Sequence, residues 1–352
     1  MSAATPDPER AATGSPRPKR AVMNDVARLA GVSHQTVSRV INGSEQVRPA
    51  TRERVLAAMR KLDYRPNAVA RALVTGRSQT LGVVTFNTTL FGPASTLVGV
   101  ERAADAAGYA VSIVSLESLG REAIARAIQR LRLQGVDGVV VIAPHVATMG
   151  ALWDLPETLP IVAVEAGPQV AVSTIAVDQH QGARMATEHL LACGHATVYH
   201  LAGPADWIEA TQRVEGWLEA LQEAGATAPA PLRGDWSPRS GYEVGRRLLD
   251  APDLTAVFVA NDQMALGFLR LLRENGLEVP RDVSIVGFDD IPEAAYFTPP
   301  LTTVRQDFNE MGRRSLHVLL RQIEAHGRSR IREVVPATLV ERASTGPPPR
   351  PC

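Results

Sequence analysis

Gln35, Ser38, Arg39 and Asn42 follow one another at i, i+3, i+4 and i+7, so a helix through them carries all four on one face. An amide at such a face suits adenine, a guanidinium suits guanine, and hydroxyl groups reach phosphate oxygens. The opposite face is apolar, with Val37, Val40 and Ile41 at i, i+3, i+4. The chemistry offered is therefore the reading of base edges in a DNA groove. The bland alternative is the solvated face of a small three-helix bundle, because helix-turn-helix lookalikes are common.

The neighbouring segments would hold that face in place. Val26, Leu29 and Ala30 set an apolar stripe on a preceding helix, and Gly31 supplies the left-handed turn after it. Ser33 is a good N-cap for the polar-faced helix. A third helix is expected with Thr51 as its cap and Val55, Met59 and Leu62 on its core side. A basic, helix-prone stretch over about 66–75 leads out, with Pro66 suited to a first helical turn and Gly76 to a flexible exit. Ten-residue helices are marginal alone in water, so this hinge is expected to order only on DNA and beside a second subunit.

Charge separates this end from the rest. Residues 17–80 hold thirteen arginines and lysines against four acids, a net +9. The whole chain is +0, which leaves −9 for the remainder. A neutral protein with one strongly basic end is built to neutralise phosphates locally.

At 352 residues and 45% apolar content, the chain has room for two or three domains with sizeable cores. No apolar run approaches the ~20 residues that span a bilayer. Residues 1–20 lack an apolar signal core and read as a disordered arm, which points to the cytoplasm. Two cysteines, Cys193 and Cys352, make no disulfide framework, and Cys193 reads as a buried thiol.

From about Leu81 apolar runs of strand length alternate with amphipathic stretches. Strands are expected at 81–86, 110–115, 136–143, 161–165, 174–178, 197–202, 255–260 and 283–290. Helices are expected at 95–108, 120–134, 180–193, 209–225, 239–250, 262–275 and 308–325. This alternation means parallel sheets covered on both faces. Eight or so strands over 260 residues exceed one compact sheet, so two lobes are expected, with crossings near 177–178 and 305–308. Ligands of such sheets bind beyond the carboxyl ends of the strands. The residues there are Asn87–Pro93, Glu117–Ser118, Glu165, Asn261–Gln263, Asp289–Asp290 and Gln306–Phe308. Amides, carboxylates and a few aromatics suit a sugar cleft.

Enzyme signatures are missing: there is no P-loop, no GxSxG elbow, no HExxH and no well-placed GxGxxG. His189, Cys193 and His195 have the look of a helix end with ordinary roles, so neither metal nor cofactor is expected. Asp289 and Asp290 are adjacent on a strand end and should point apart rather than share a proton.

The segments DVARLAGVSHQTVSRVING, YRPNAVARAL, LAGP (201–204), GDWS (234–237), VANDQMALG (259–267), VSIVGFDD (283–290) and PPLTTVRQDF (299–308) resemble the LacI/GalR family of bacterial repressors in order and over nearly the whole chain after residue 20. The resemblance implies an all-α helix-turn-helix headpiece, a hinge helix, and an α/β core of two Rossmann-like lobes of the periplasmic-binding-protein kind. The expected boundaries are arm 1–20, headpiece 21–65, hinge and linker 66–80, core 81–345 and tail 346–352. Lobe 1 would take about 81–177 and 308–335, and lobe 2 about 178–305 and 336–345.

By the same resemblance Ser33, His34, Gln35, Thr36, Ser38, Arg39 and Asn42 lie on or beside the recognition helix, with His34, Gln35 and Arg39 at its base-reading positions. Tyr64 and Asn67 fall at backbone contacts. Ala70 falls in the hinge, and Leu73 where the hinge wedges a leucine into the minor groove. Ordinary packing is the plain alternative for Leu73. In the core, Arg213, Asn261 and Asp289 match positions that bond sugar hydroxyls, and Trp236 matches the aromatic under the sugar's apolar face. Gln263, Gln306 and Phe308 match residues beside them, Leu90 and Pro93 the apolar wall near the aglycone, and Glu165 an aspartate after the fourth strand. Core packing is the alternative for Trp236 and a surface salt bridge for Arg213.

The chain departs from galactoside-responsive members of the family in places. A cleft arginine after the second strand is Ser118, a small serine after the first strand is Phe86, and a capping threonine before the first helix is Val22. Those members also carry a C-terminal leucine-heptad helix, whereas VERASTGPPPRPC places three consecutive prolines near the end. The expectation is a homodimer on a palindromic operator, with no membrane partner. The implied function is repression of sugar-utilisation genes, released by a sugar inducer of the galactoside type. A co-repressor-type regulator with a purine or sugar phosphate ligand stays open, as does a sugar receptor without a DNA role.

Overall fold

The computed structural model describes residues 21–349 apart from 42, 45, 66–75, 117–119, 153–157, 168–169 and 252. Asn42, Asn67, Ala70, Leu73, Ser118 and the expected hinge helix lie outside the described residues. The chain divides into two compact units, Met1–Ser78 and Gln79–Cys352.

Among the described residues the first unit holds three helices, α1 (Met23–Ala30), α2 (His34–Ile41) and α3 (Pro49–Lys61). Gly31 closes α1 in the left-handed conformation at φ 62°. Ser33 Oγ accepts the Thr36 backbone N–H at 3.1 Å, as a cap of α2 should. Val22 has no side-chain acceptor to offer α1, but Asp25 accepts the Val22 N–H at 3.0 Å and so ties the entry from the other side. Val26, Val37 and Val55 are completely buried and, with Ala30, Val40 and Ala58, form the small core. Two expectations are corrected. Leu29 is 45% exposed, since Ala27 rather than Leu29 turns inward beside Val26. Thr51 lies inside α3, whose entry is Arg48–Pro49 with no side-chain cap.

The second unit contains two six-stranded sheets. The first uses β1 (Thr80–Phe86), β2 (Ala110–Leu116), β3 (Gly138–Ile142), β4 (Ile161–Val164) and β5 (Ser173–Val177), joined by β11 (Arg332–Val335). Its order is β11-β5-β4-β3-β1-β2 and every pairing is parallel. The second uses β6 (Tyr199–Ala202), β7 (Leu232–Arg233), β8 (Ala256–Val259), β9 (Ser284–Asp289), β10 (Thr302–Arg305) and β12 (Thr338–Val340). Its order is β12-β10-β9-β8-β6-β7, parallel except for the antiparallel β12 edge. The chain therefore passes between the lobes after β5, after β10 and between β11 and β12.

The connecting helices are α4 (Phe91–Ala106), α5 (Arg121–Leu133), α6 (Val146–Met149), α7 (Gln179–Ala192), α8 (Ile208–Glu223), α9 (Pro238–Gly245), α10 (Asp262–Glu274) and α11 (Phe308–Ala325). Six of them pack as pairs, α4 on α11, α7 on α8 and α9 on α10. Gly99 of α4 sits against the Phe308 carbonyl of α11, where a Cβ would overlap the backbone, so the pair approaches as closely as it does only with glycine there. The helix expected over 239–250 is α9 followed by a single tight turn at Arg246–Leu248. β7, β10, β11 and β12 were not expected. They are two to four residues long, and all four carry partly or fully exposed positions, so no apolar run marks them. None of the described helices is long and apolar enough to cross a membrane.

Candidate effector cleft and DNA-reading face

The carboxyl ends of the parallel strands in both lobes open onto one cavity of about 240 Å³. Its lobe-1 wall is Thr89–Pro93, the loop and first turn between β1 and α4. Its lobe-2 wall comes from the ends of β6, β7, β8, β9 and β10. Apolar strands end abruptly in polar residues here, and several of those residues are bent. Asn87, Glu165, Trp236, Asp289 and Asp290 all take positive φ, between 49° and 108°. Side chains with a Cβ adopt this region at a cost that the surrounding fold must hold, and such residues gather at functional sites.

Arg213, on α8, is 2% exposed and anchors a polar ring. Its Nε donates to Gln179 Oε1 at 2.9 Å, one terminal nitrogen donates to the Ala260 carbonyl, and the other lies 3.6 Å from Asp289 Oδ1. Gln179 Nε2 donates to Gln306 Oε1 at 2.8 Å, and Gln306 Nε2 donates to Asp289 Oδ1 at 2.6 Å. The guanidinium carbon stands 3.8 Å from the Phe288 ring centre, a cation–π contact. Burial raises the Asp289 carboxyl to about 6, while Arg213 and the Gln306 amide pull it back down. Asp290 faces elsewhere, bonded to Arg305 and Arg342 at 2.6 Å, so the two neighbouring carboxylates serve different partners as expected.

Asn261 caps α10, its Oδ1 accepting the Met264 N–H at 2.9 Å. Its Nδ2 donates to the Trp236 carbonyl at 3.1 Å and to Gln263 Oε1 at 2.9 Å. Trp236 and Trp207 meet edge to face with centres 5.6 Å apart. The Trp236 ring lies against Gly203, where any Cβ would collide with it.

Eight of the residues expected to bind ligand line the cavity: Leu90, Pro93, Arg213, Trp236, Asn261, Gln263, Asp289 and Gln306. Glu165 and Phe308 do not. Glu165 is 5% exposed and accepts the Val177 N–H at 3.1 Å, one layer behind the wall. Phe308 packs edge to face on Phe91 at 5.7 Å, and it is Phe91 that reaches the cavity. Trp207 and Glu209, both lining, escaped the sequence reading. They follow the end of β6, so the rule that singled out the other strand ends would have found them.

His189 and His195 are bonded within the fold, His189 to Thr345 Oγ1 at 2.9 Å and His195 to Thr255 Oγ1 and the Gly346 carbonyl at 3.0 Å. Cys193 is only half-buried, at the end of α7, which corrects its reading as a buried thiol.

In the first unit Ser33, His34, Gln35 and Arg39 are exposed, with Thr36 and Ser38 partly so. Val37 and Val40 of the same helix are buried, which leaves the polar face of α2 outward. Tyr64 is partly buried against the small core.

Residues 22–67 match the family of bacterial regulatory proteins of the lacI type, and residues 187–345 match the periplasmic binding protein-like domain. The lactose operon repressor of Escherichia coli K12 is 36% identical over 333 residues, 93% of this chain and 91% of that protein. Among solved structures, the lac repressor dimer bound to operator and the anti-inducer ONPF matches with a TM-score of 0.81 and 36% identity, over 93% of this chain and 100% of that one. A CelR–cellobiose complex matches with a TM-score of 0.67 and 35% identity, over 92% and 100%. The outward polar face of α2, the two-lobe cleft and this full-length similarity make the chain a member of the lacI family of DNA-binding bacterial transcriptional regulators.

Proposed function

We propose that the protein is an operator-binding repressor of sugar-utilisation genes whose grip on DNA is released by a sugar seated between the two lobes. The observation that carries the sugar is the ring formed by Arg213, Gln179, Gln306 and Asp289, with Asn261 on the Trp236 carbonyl and the paired indoles of Trp207 and Trp236 beside it. Alternating donors and acceptors next to an aromatic wall match hydroxyls and the apolar face of a pyranose. A sugar phosphate fits poorly, because Glu209 and Asp289 line the cavity and Arg213 is already engaged. The lac repressor among the relatives favours a galactoside; the CelR–cellobiose complex keeps a glucoside in view.

On the DNA side, His34, Gln35 and Arg39 would read bases, with Ser33, Thr36, Ser38, Asn42, Tyr64 and Asn67 around them, Ala70 on DNA in the hinge and Leu73 in the minor groove. Two copies on a two-fold axis would read a palindrome. Release means that sugar and operator are coupled sites, with a coupling free energy typically of ~1–3 kcal/mol.

The test is fluorescence anisotropy on an operator selected from random DNA by the purified full chain, titrated with β-galactosides, β-glucosides and purines. Loss of operator binding on adding a galactoside supports the reading. Tighter DNA binding with a purine, and no response to any sugar, overturns it.

A further inference from the structure

The cleft carries more acid than base. Glu209 and Asp289 line it, Glu165 stands directly behind, and Arg213 is the single basic side chain of the lining among the described residues. The Arg213 guanidinium is spent on Gln179, the Ala260 carbonyl, Asp289 and the Phe288 ring. Glu209, in the first turn of α8, has no hydrogen-bond or ion-pair partner for its carboxylate among the described residues. Burial and the neighbouring charge of Glu165 and Asp289, against the weaker pull of Arg213, raise Glu209 to about 8. Burial likewise raises Glu165 to about 7.

A second observation marks the same cavity as waiting for a polar ligand. Trp236, only 6% exposed, lines it, and the buried Nε1–H of that indole has no hydrogen-bond partner among the described residues. Buried donors are nearly always satisfied, so an orphan in a ligand cleft points to an acceptor that arrives with the ligand. The indole of Trp207 adds a ring that attracts positive charge, while the Trp236 ring already has the Arg213 guanidinium 5.5 Å from its centre.

We propose that the effector is an amino sugar, whose protonated amino group pairs with Glu209 while Asp289, Asn261 and Gln306 hold its hydroxyls and the indoles take its apolar face. This rests on the sugar reading above and narrows it. Glu209 is half-buried, and its carboxylate lines the narrow cleft without a partner among the described residues; an ammonium group would give it a charge-assisted hydrogen bond, which an acetamide or hydroxyl matches only in part. A phosphorylated ligand would add to the imbalance.

The experiment is calorimetric titration of the full chain at neutral pH with methyl galactosaminide and methyl glucosaminide, their N-acetylated forms, and the parent methyl galactoside and glucoside. The free amines are expected to bind about tenfold more tightly than their N-acetylated and parent counterparts, the worth of one charge-assisted hydrogen bond. In Glu209→Gln, checked for folding by circular dichroism, that ratio should fall to near one. If the variant does not fold, the wild-type ratio between amine and N-acetyl forms decides alone. Parent sugars that bind as tightly as the amines, or a ratio unmoved by Glu209→Gln, overturn the amino-sugar proposal and leave the sugar reading intact. Failure of all six sugars to bind overturns both.

Discussion

The guanidinium of Arg213 sits 3.8 Å from the centre of the Phe288 ring and 3.6 Å from the carboxylate of the next residue on the same strand, Asp289. One strand end thus supplies both a face and a charge to a single buried cation. A lysine cannot reproduce this, because it lacks the planar fork that also reaches Gln179 and the Ala260 carbonyl. Arg213→Lys should weaken sugar binding at least about tenfold, a loss of the order expected for one charged hydrogen bond. Operator binding without sugar should persist. Calorimetry and a gel-shift assay check the pair, and unchanged sugar affinity would remove Arg213 from the site.

Gly203→Ala tests the indole wall. The added methyl would collide with the Trp236 ring, which must then leave its place against the turn after β6. Overpacking of this kind costs about 1–3 kcal/mol. The expected result is a lower melting temperature together with weaker sugar binding and a shifted tryptophan emission. Native emission and affinity in the Gly203→Ala protein would show that the wall yields without consequence.

Gln35→Ala and Arg39→Ala address the other unit. Both side chains are exposed on α2 while Val37 and Val40 hold its buried face, so truncation should spare the fold. Each lost bidentate base contact is worth about 1–3 kcal/mol of discrimination. Binding to the selected operator should fall toward the level seen with random DNA, with sugar affinity untouched. Operator preference that survives both changes would move base reading off this face.

His200 makes stability depend on pH. Its ring is buried, stacked on Phe258 with centres 4.5 Å apart, and Nδ1 bonds the Phe258 carbonyl at 2.9 Å. Burial lowers it from 6.5 to about 3. The unfolded chain therefore binds the proton more readily, and stability is lost as pH falls from 6.5 toward 3. Between pH 7 and 5 this one group should remove about 2 kcal/mol. Glu165, Glu209 and Asp289 are raised, so they regain stability on acidification and oppose it. The comparison of wild type with His200→Gln isolates the histidine: the stability gap between them in urea unfolding should narrow as pH drops to 5. A gap independent of pH would contradict the assignment.

Much of the architecture was legible because periodicity survives in a single chain. The run VSIVGFDD is a buried strand ending in acids, and β9 is found at Ser284–Asp289. The short strands were not legible: β7 has two residues, and β11 alternates exposed and buried positions at a sheet edge. Leu29 misled for a related reason, since helical spacing permits either Ala27 or Leu29 to turn inward and only the packing of α1 on α3 chooses. At the cleft, strand-end position identified most of the lining, but it could not separate first contact from support. Phe308 and Glu165 stand behind Phe91 and the wall, and nothing local to either residue says so.

By itself the sequence determined the helices and the longer strands, the polar face of α2, the basic end of the chain and the family. These are local or additive properties, written in spacing, side-chain type and charge. The tertiary structure alone decided which polar strand ends converge, that Arg213 is spent on its own neighbours, and that Glu209 is left without a partner among the described residues. Those facts depend on distances between residues as far apart as Gln179 and Gln306, and burial gives each unpaired charge its consequence.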